Sequence, residues 1–175
     1  VAVTYPDKLL RPVADRLLAC LCTAALANPA PPRACGYRPY INGTPLFGTL
    51  DDECCAGLAF LYVGDQQRVV SGTTPDTLPV NCQLLYMVDL QIGIWRCAPA
   101  GDLQLPPDQV ADWDPLQVKL FDDRATLRDA ICCFLATQKP KTVGVGTMNT
   151  INQGPEGMCI GTQVTLTVNL GRARA

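Results

Sequence analysis

At 175 residues, with 48% hydrophobic and 17% charged residues, the chain is sized for one domain and is too apolar for a disordered one. Its net charge is −2 and its arginines are scattered, with only Arg172 and Arg174 clustered. Direct sequence-specific nucleic-acid binding, which needs a basic stripe, is therefore not expected. Asp, Arg or Lys interrupts every apolar run, so no membrane span is expected, and the opening residues lack a signal-peptide pattern, which predicts cytosolic synthesis.

The first predicted element is a helix from Asp7 to about Asn28. Leu10, Val13, Leu17, Leu21 and Ala24 recur on one helical face. Pro12 belongs in the first turn, where its missing N–H costs nothing, and Asn28 with Pro29, Pro31 and Pro32 stops the helix. Residues 35–52 are rich in Gly and Pro and read as a loop or an irregular edge strand. The run Leu58 to Val63 reads as a buried strand, Gly64-Asp65 as its turn and Gln66 to Val70 as a returning partner. A loop follows over 71–79.

The longest alternation runs from Leu84 to Arg96. Leu84, Tyr86, Val88, Leu90, Ile92 and Ile94 fall on one side, and Asp89, Gln91 and Gly93 on the other. This is the pattern of a strand with one face on a core. A helical turn is expected within 107–112. Asp114-Pro115 then starts a second long helix, with Asp as N-cap and Pro at the first helical position. Leu116, Leu120, Leu127, Ile131 and Leu135 form its apolar stripe, and Lys139-Pro140 closes it. The tail reads as a hairpin, Val143 to Thr150 against Cys159 to Leu170, with Gly154-Pro155-Glu156-Gly157 in the connection. Together these elements predict a single α+β domain over residues 1–175, a mainly antiparallel sheet with two long helices packed on one face.

Chemistry-bearing patterns are sparse. The chain has no histidine, which removes Ser-His and Cys-His nucleophile pairs and the commonest metal ligand. Asp51-Asp52-Glu53, in a loop, and Asp122-Asp123, placed mid-helix away from the leucine stripe, are the tight acidic clusters and read as solvated surface. Gly144, Gly146, Gly154 and Gly157 match neither a P-loop nor a dinucleotide fingerprint. The expectation is a protein without enzymatic activity or cofactor. Two rivals are a small carboxylate- or thiol-dependent enzyme and a zinc-stabilised module that chelation would unfold.

The ten cysteines are Cys20, Cys22, Cys35, Cys54, Cys55, Cys82, Cys97, Cys132, Cys133 and Cys159. Their spacing is not that of zinc knuckles, and no Cys-x-x-Cys motif is present. Neighbouring residues such as Cys132 and Cys133 also point in different directions on any regular element. Reduced core thiols, disulfides and zinc all remain open on this reading. Cytosolic reductants oppose disulfides, but a particle that forms inside a cell and later leaves it could oxidise after release.

The runs YPDKLLRPVADRLLACLC, PPRACGYRP, DDECCAGLAFLYV, IWRCAP, RATLRDAICCFL and GPEGMCIGTQVTLTV, taken in order, resemble cysteine-rich virion proteins of phages that infect actinobacteria. They are most similar to the tail-terminator or neck class of long-tailed phages, and the resemblance spans most of the chain. It implies an α+β subunit of a homo-oligomeric ring, usually of six, that caps the tail-tube protein and meets a head-connector or stopper protein. The implied location is the tail–head junction of the virion, after assembly in the host cytoplasm. It also implies no active site. A head-completion or stopper protein, or another neck connector, is the alternative within that class. On this reading Gln66, Gln67 and Arg68, and Thr147, Asn149 and Asn152, are candidate contacts to neighbouring subunits or to the tube. The thiol content departs from a simple terminator, and oxidation in the released virion would account for it.

Overall fold

A computed structural model describes residues 10–38, 40–41, 44–45, 57–69, 85–97, 114–137, 143–156 and 159–170. The fold is α+β. Chain order runs α1 (Leu10–Leu26), β1 (Ala34–Tyr37), β2 (Tyr40–Ile41), β3 (Thr44–Pro45), β4 (Leu58–Val69), β5 (Leu85–Cys97), α2 (Asp114–Thr137), β6 (Val143–Glu156) and β7 (Cys159–Leu170). Neither described helix is long and apolar enough to cross a membrane.

The main sheet has the order β1-β4-β5-β7-β6, and β2 and β3 form a separate two-stranded ribbon. β1 runs parallel to β4, while β4–β5, β5–β7 and β7–β6 are antiparallel. The sheet is thus mixed, with one parallel edge made by the Gly- and Pro-rich segment. β4 is one continuous strand. Its register shifts between Val63 and Gln66, so Gly64-Asp65 is an irregularity within the strand and not the expected turn. An inserted residue of this kind bends a strand without ending it. Likewise β6 runs on to Glu156, opposite Cys159, with shifts between Val145 and Met148 and between Gln153 and Glu156. The expected connection at 154–157 is therefore mostly strand.

Alternate strand residues share one hydrophobic cluster with both helices. From the sheet come Ala59 and Leu61, Val88, Leu90, Ile92 and Ile94, and Val164, Leu166 and Val168. From the helices come Leu10, Val13, Ala14, Leu17, Cys20, Leu21 and Ala25 and then Leu127, Ala130, Ile131 and Phe134. α1 rests on β1 and β4, and α2 on β5 and β7, with β6 extending the sheet one strand past α2. Leu135, expected in the stripe, is 47% exposed, and Phe134 is buried in its place. Phe134 stands seven residues after Leu127, which keeps it on the sheet-facing side, whereas Leu135 has rotated a further 100°.

A second cluster lies on the other sheet face, where Leu58, Phe60, Trp95 and Cys159 are buried. Phe60 stands opposite Gly93. A Cβ at Gly93 would come within 2.6 Å of Phe60 Cζ and 3.0 Å of the Thr162 carbonyl oxygen, so the ring occupies the space a side chain would need. Gly93→Ala is expected to destabilise the fold by about 1–3 kcal/mol through overpacking. Urea unfolding would show this, and an unchanged midpoint would refute the account. Further along this face the sheet turns polar. Thr167 Oγ1 donates to Asp89 Oδ1 at 2.7 Å, and Gln163 Nε2 donates to Gln91 Oε1 at 2.8 Å.

Candidate functional site

Three elements meet in a buried polar knot. α1 ends at Leu26, and the next residues close with i→i−3 bonds, Ala27 N to Ala24 O and Asn28 N to Ala25 O. Asn28 then turns the chain, its Oδ1 accepting from Ala30 N at 2.8 Å, the local turn that Asn side chains favour. Its Nδ2 donates to Asp123 Oδ1 at 3.0 Å and to Thr126 Oγ1 at 2.8 Å on α2. Arg96, near the end of β5, donates from Nε to Asp123 Oδ2 at 2.8 Å and from Nη2 to Asp123 Oδ1 at 2.6 Å. Arg96 Nη2 also donates to the Ala30 carbonyl at 2.7 Å.

Asp123 is 0% exposed. This corrects the reading of Asp122-Asp123 as a solvated pair. Asp123 lies three residues after Leu120 and four before Leu127, which puts it on the leucine stripe itself. A bidentate guanidinium and an amide satisfy the carboxylate there. The two charges are paired with each other, and with Asn28 and the Ala30 carbonyl they fasten the end of α1, β5 and α2 together.

The cysteines act mainly as crosslinks. Cys20 on α1 is bonded to Cys133 on α2, and Cys22 on α1 to Cys35 on β1. Two positions apart on a helix, Cys20 and Cys22 face different neighbours. Cys97 and Cys159 are also disulfide-bonded. These six thiols are therefore neither reduced nor available as zinc ligands, and the described residues contain no group of three or more His, Cys, Asp or Glu arranged for a metal. Among the described cysteines Cys132 is free, and it is exposed. Asp51, Asp52, Glu53, Cys54, Cys55, Cys82 and the helical turn expected at 107–112 lie outside the described residues.

The candidate contact residues are strand positions, as the sequence suggested for all but Asn152, which it placed in the hairpin connection. Gln66, Gln67 and Arg68 stand in β4 opposite Val88, Met87 and Tyr86. In β6, Asn149 stands opposite Thr165, Asn152 opposite Thr162, and Thr147 falls within the register shift.

The surface that the sequence reading missed is on α2. Val118, Phe121, Ala125, Arg128, Cys132 and Leu135 follow one another at spacings of three and four, the repeat of a helix–helix seam. Val118 and Phe121 are each 60% exposed. Beside this stripe a cavity of about 490 Å³ opens between α2 and β7, walled by Phe121, Ala125, Ile131, Leu135 and Val164, with Arg124 and Arg128 on its lining. Arg124 sits over the Phe121 ring, 5.7 Å from its centroid. Arg128 faces the neighbouring Asp129 at 3.7 Å in an exposed pair. Thr162 also lines the cavity, and its Oγ1 is buried without a hydrogen-bond partner.

The chain matches no protein-family model and no curated protein.

At the opposite edge of the sheet, Tyr37 OH donates to Asp15 Oδ1 at 2.6 Å. Partial burial, with this bond to a carboxylate, pushes the phenol well above its ordinary range. The group stays protonated at any physiological pH and serves to tie β1 to α1.

Proposed function

We propose that this protein is a structural virion subunit, a tail terminator whose ring caps the tail tube and joins it to the head connector. The observation that carries the reading is the second, exposed apolar stripe of α2. A chain of this size with two buried clusters has enough core to fold alone, yet it leaves large apolar side chains in a row on one helix. Such rows mark surfaces that meet other proteins.

Two further features support it. The resemblance of the cysteine-containing runs to terminator and neck proteins comes with an α+β expectation, and the fold is α+β. The disulfides suit a particle that matures outside a reducing compartment. A stopper or other neck connector is the alternative. The two helices, of 17 and 24 residues, favour the terminator, since stoppers are expected to be small β-barrels.

Native mass spectrometry of the purified chain, alone and with tail tubes, tests the proposal. A closed ring, six-fold above all, on its own or at tube ends is expected. A chain that stays monomeric in both samples would exclude the terminator role.

A further inference from the structure

We propose that the groove between α2 and β7 is a docking site for an acidic amphipathic helix from another protein. Three separate observations converge on that occupant. The first is the seam itself. Val118, Phe121, Ala125, Arg128, Cys132 and Leu135 follow at alternating three- and four-residue spacings, apolar or small at every position but Arg128, and a second helix matches such a row with its own a and d positions.

The second is space. Two helices side by side at 8–10 Å cover about four strands spaced ~4.8 Å apart. α1 and α2 rest on β1, β4, β5 and β7, and β6 carries the sheet one strand further. A third helix laid along α2 therefore has a floor beneath it.

The third is polarity. Arg124 and Arg128 line the same groove from exposed positions. Carboxylates flanking the apolar face of an incoming helix would meet both guanidinium groups.

A second copy of this chain fits less well. Among the described residues the large apolar side chains exposed away from α2 are Leu26 and Tyr37. They lie on α1 and β1, where exposed Arg11, Arg16 and Arg33 outnumber Asp15, so a second copy would bring positive charge against Arg124 and Arg128.

The site extends the assembly reading by naming a partner's chemistry, and it is tested on the full chain without tail tubes. Two synthetic acetylated peptides with the same leucine seam, one flanked by Glu and one by Lys, are titrated by fluorescence anisotropy. The Glu peptide is expected to bind at least about tenfold tighter than the Lys peptide. The preference should invert in the double variant Arg124→Glu/Arg128→Glu. Phe121→Ser should abolish binding while leaving the circular dichroism spectrum and Tm unchanged, because Phe121 is exposed. Bound Glu peptide should also slow iodoacetamide alkylation of Cys132.

Equal binding of the two peptides, or binding indifferent to Phe121→Ser, overturns the proposal. So does a ring or dimer of the chain alone that dissociates in Phe121→Ser, since a second copy then fills the groove. That last outcome would leave the ring reading standing. A missing ring together with charge-selective peptide binding would do the reverse.

Discussion

Replacing Cys20 and Cys133 together by alanine is expected to lower the unfolding free energy by about 4–5 kcal/mol, the largest single effect foreseen for any crosslink described. The bond joins residues 113 apart in sequence. Without it the unfolded chain regains the conformational freedom of that long loop. Cys22→Ala/Cys35→Ala, which opens a separation of 13, should cost less, about 3 kcal/mol. Urea unfolding of the oxidised parent and both variants measures the order. Equal losses, or a parent whose midpoint is indifferent to thiol reductant, would remove the loop-length explanation. The expected fall in Tm for the long-range pair is about 10 °C.

Asp123→Asn should be comparably damaging, at about 3–5 kcal/mol. The substitution keeps the side chain's shape and removes its charge. The Arg96 guanidinium is then left buried beside an amide that offers a single acceptor oxygen. The loss belongs to the unpaired charge, so replacing both partners reverses most of it. Arg96→Met/Asp123→Leu is expected near parental stability, because a buried ion pair and an apolar pair of similar volume are often equivalent. If the double variant is as unstable as Asp123→Asn, the pair is supplying more than mutual neutralisation. The bonds to Asn28 and Ala30 would then carry the difference.

The regular elements were legible in the sequence because their periodicities were long. The alternation read over Leu84 to Arg96 coincides with β5 from Leu85 on, Leu84 lying outside the described residues, and Asp114-Pro115 began α2 at the residue named. The cluster residues Leu10, Val13, Leu17 and Leu21 were readable from spacing alone. Two misses have the same physical origin. At Gly64-Asp65 and at 154–156, turn-forming residues sit where the register shifts yet the strand continues. Local turn chemistry was outweighed by long-range pairing that no local window contains.

Asp123 was misplaced for another reason. Its spacing from Leu120 and Leu127 already puts it on the leucine stripe, which the reading of two adjacent acids as surface passed over, and its partner Arg96, 27 residues away, is supplied only by the fold. The α2 groove was the miss that matters for function. Its signal was present, since Val118, Phe121, Ala125, Cys132 and Leu135 keep seam spacing. It was hidden by the stronger leucine stripe on the same helix and by Leu135, which was counted with the wrong row. The pairing of cysteines could not be read at all, because it depends on which elements become neighbours.

The position of β5 has a consequence for how the protein is made. β5 is the middle strand of the sheet, with β4 on one side and β7 on the other. β4 leaves the ribosome before it, but β7 follows only after the 24-residue α2 and all of β6. During that interval a nascent chain carries Val88, Leu90, Ile92 and Ile94 on a strand with one unpaired edge, which can template pairing with another chain. Many subunits made at once in one cell would expose that edge together. Dense polysomes are thus the stage at which this protein is most open to aggregation, and chaperone capture of the nascent chain between residues 97 and 159 is where protection would count most.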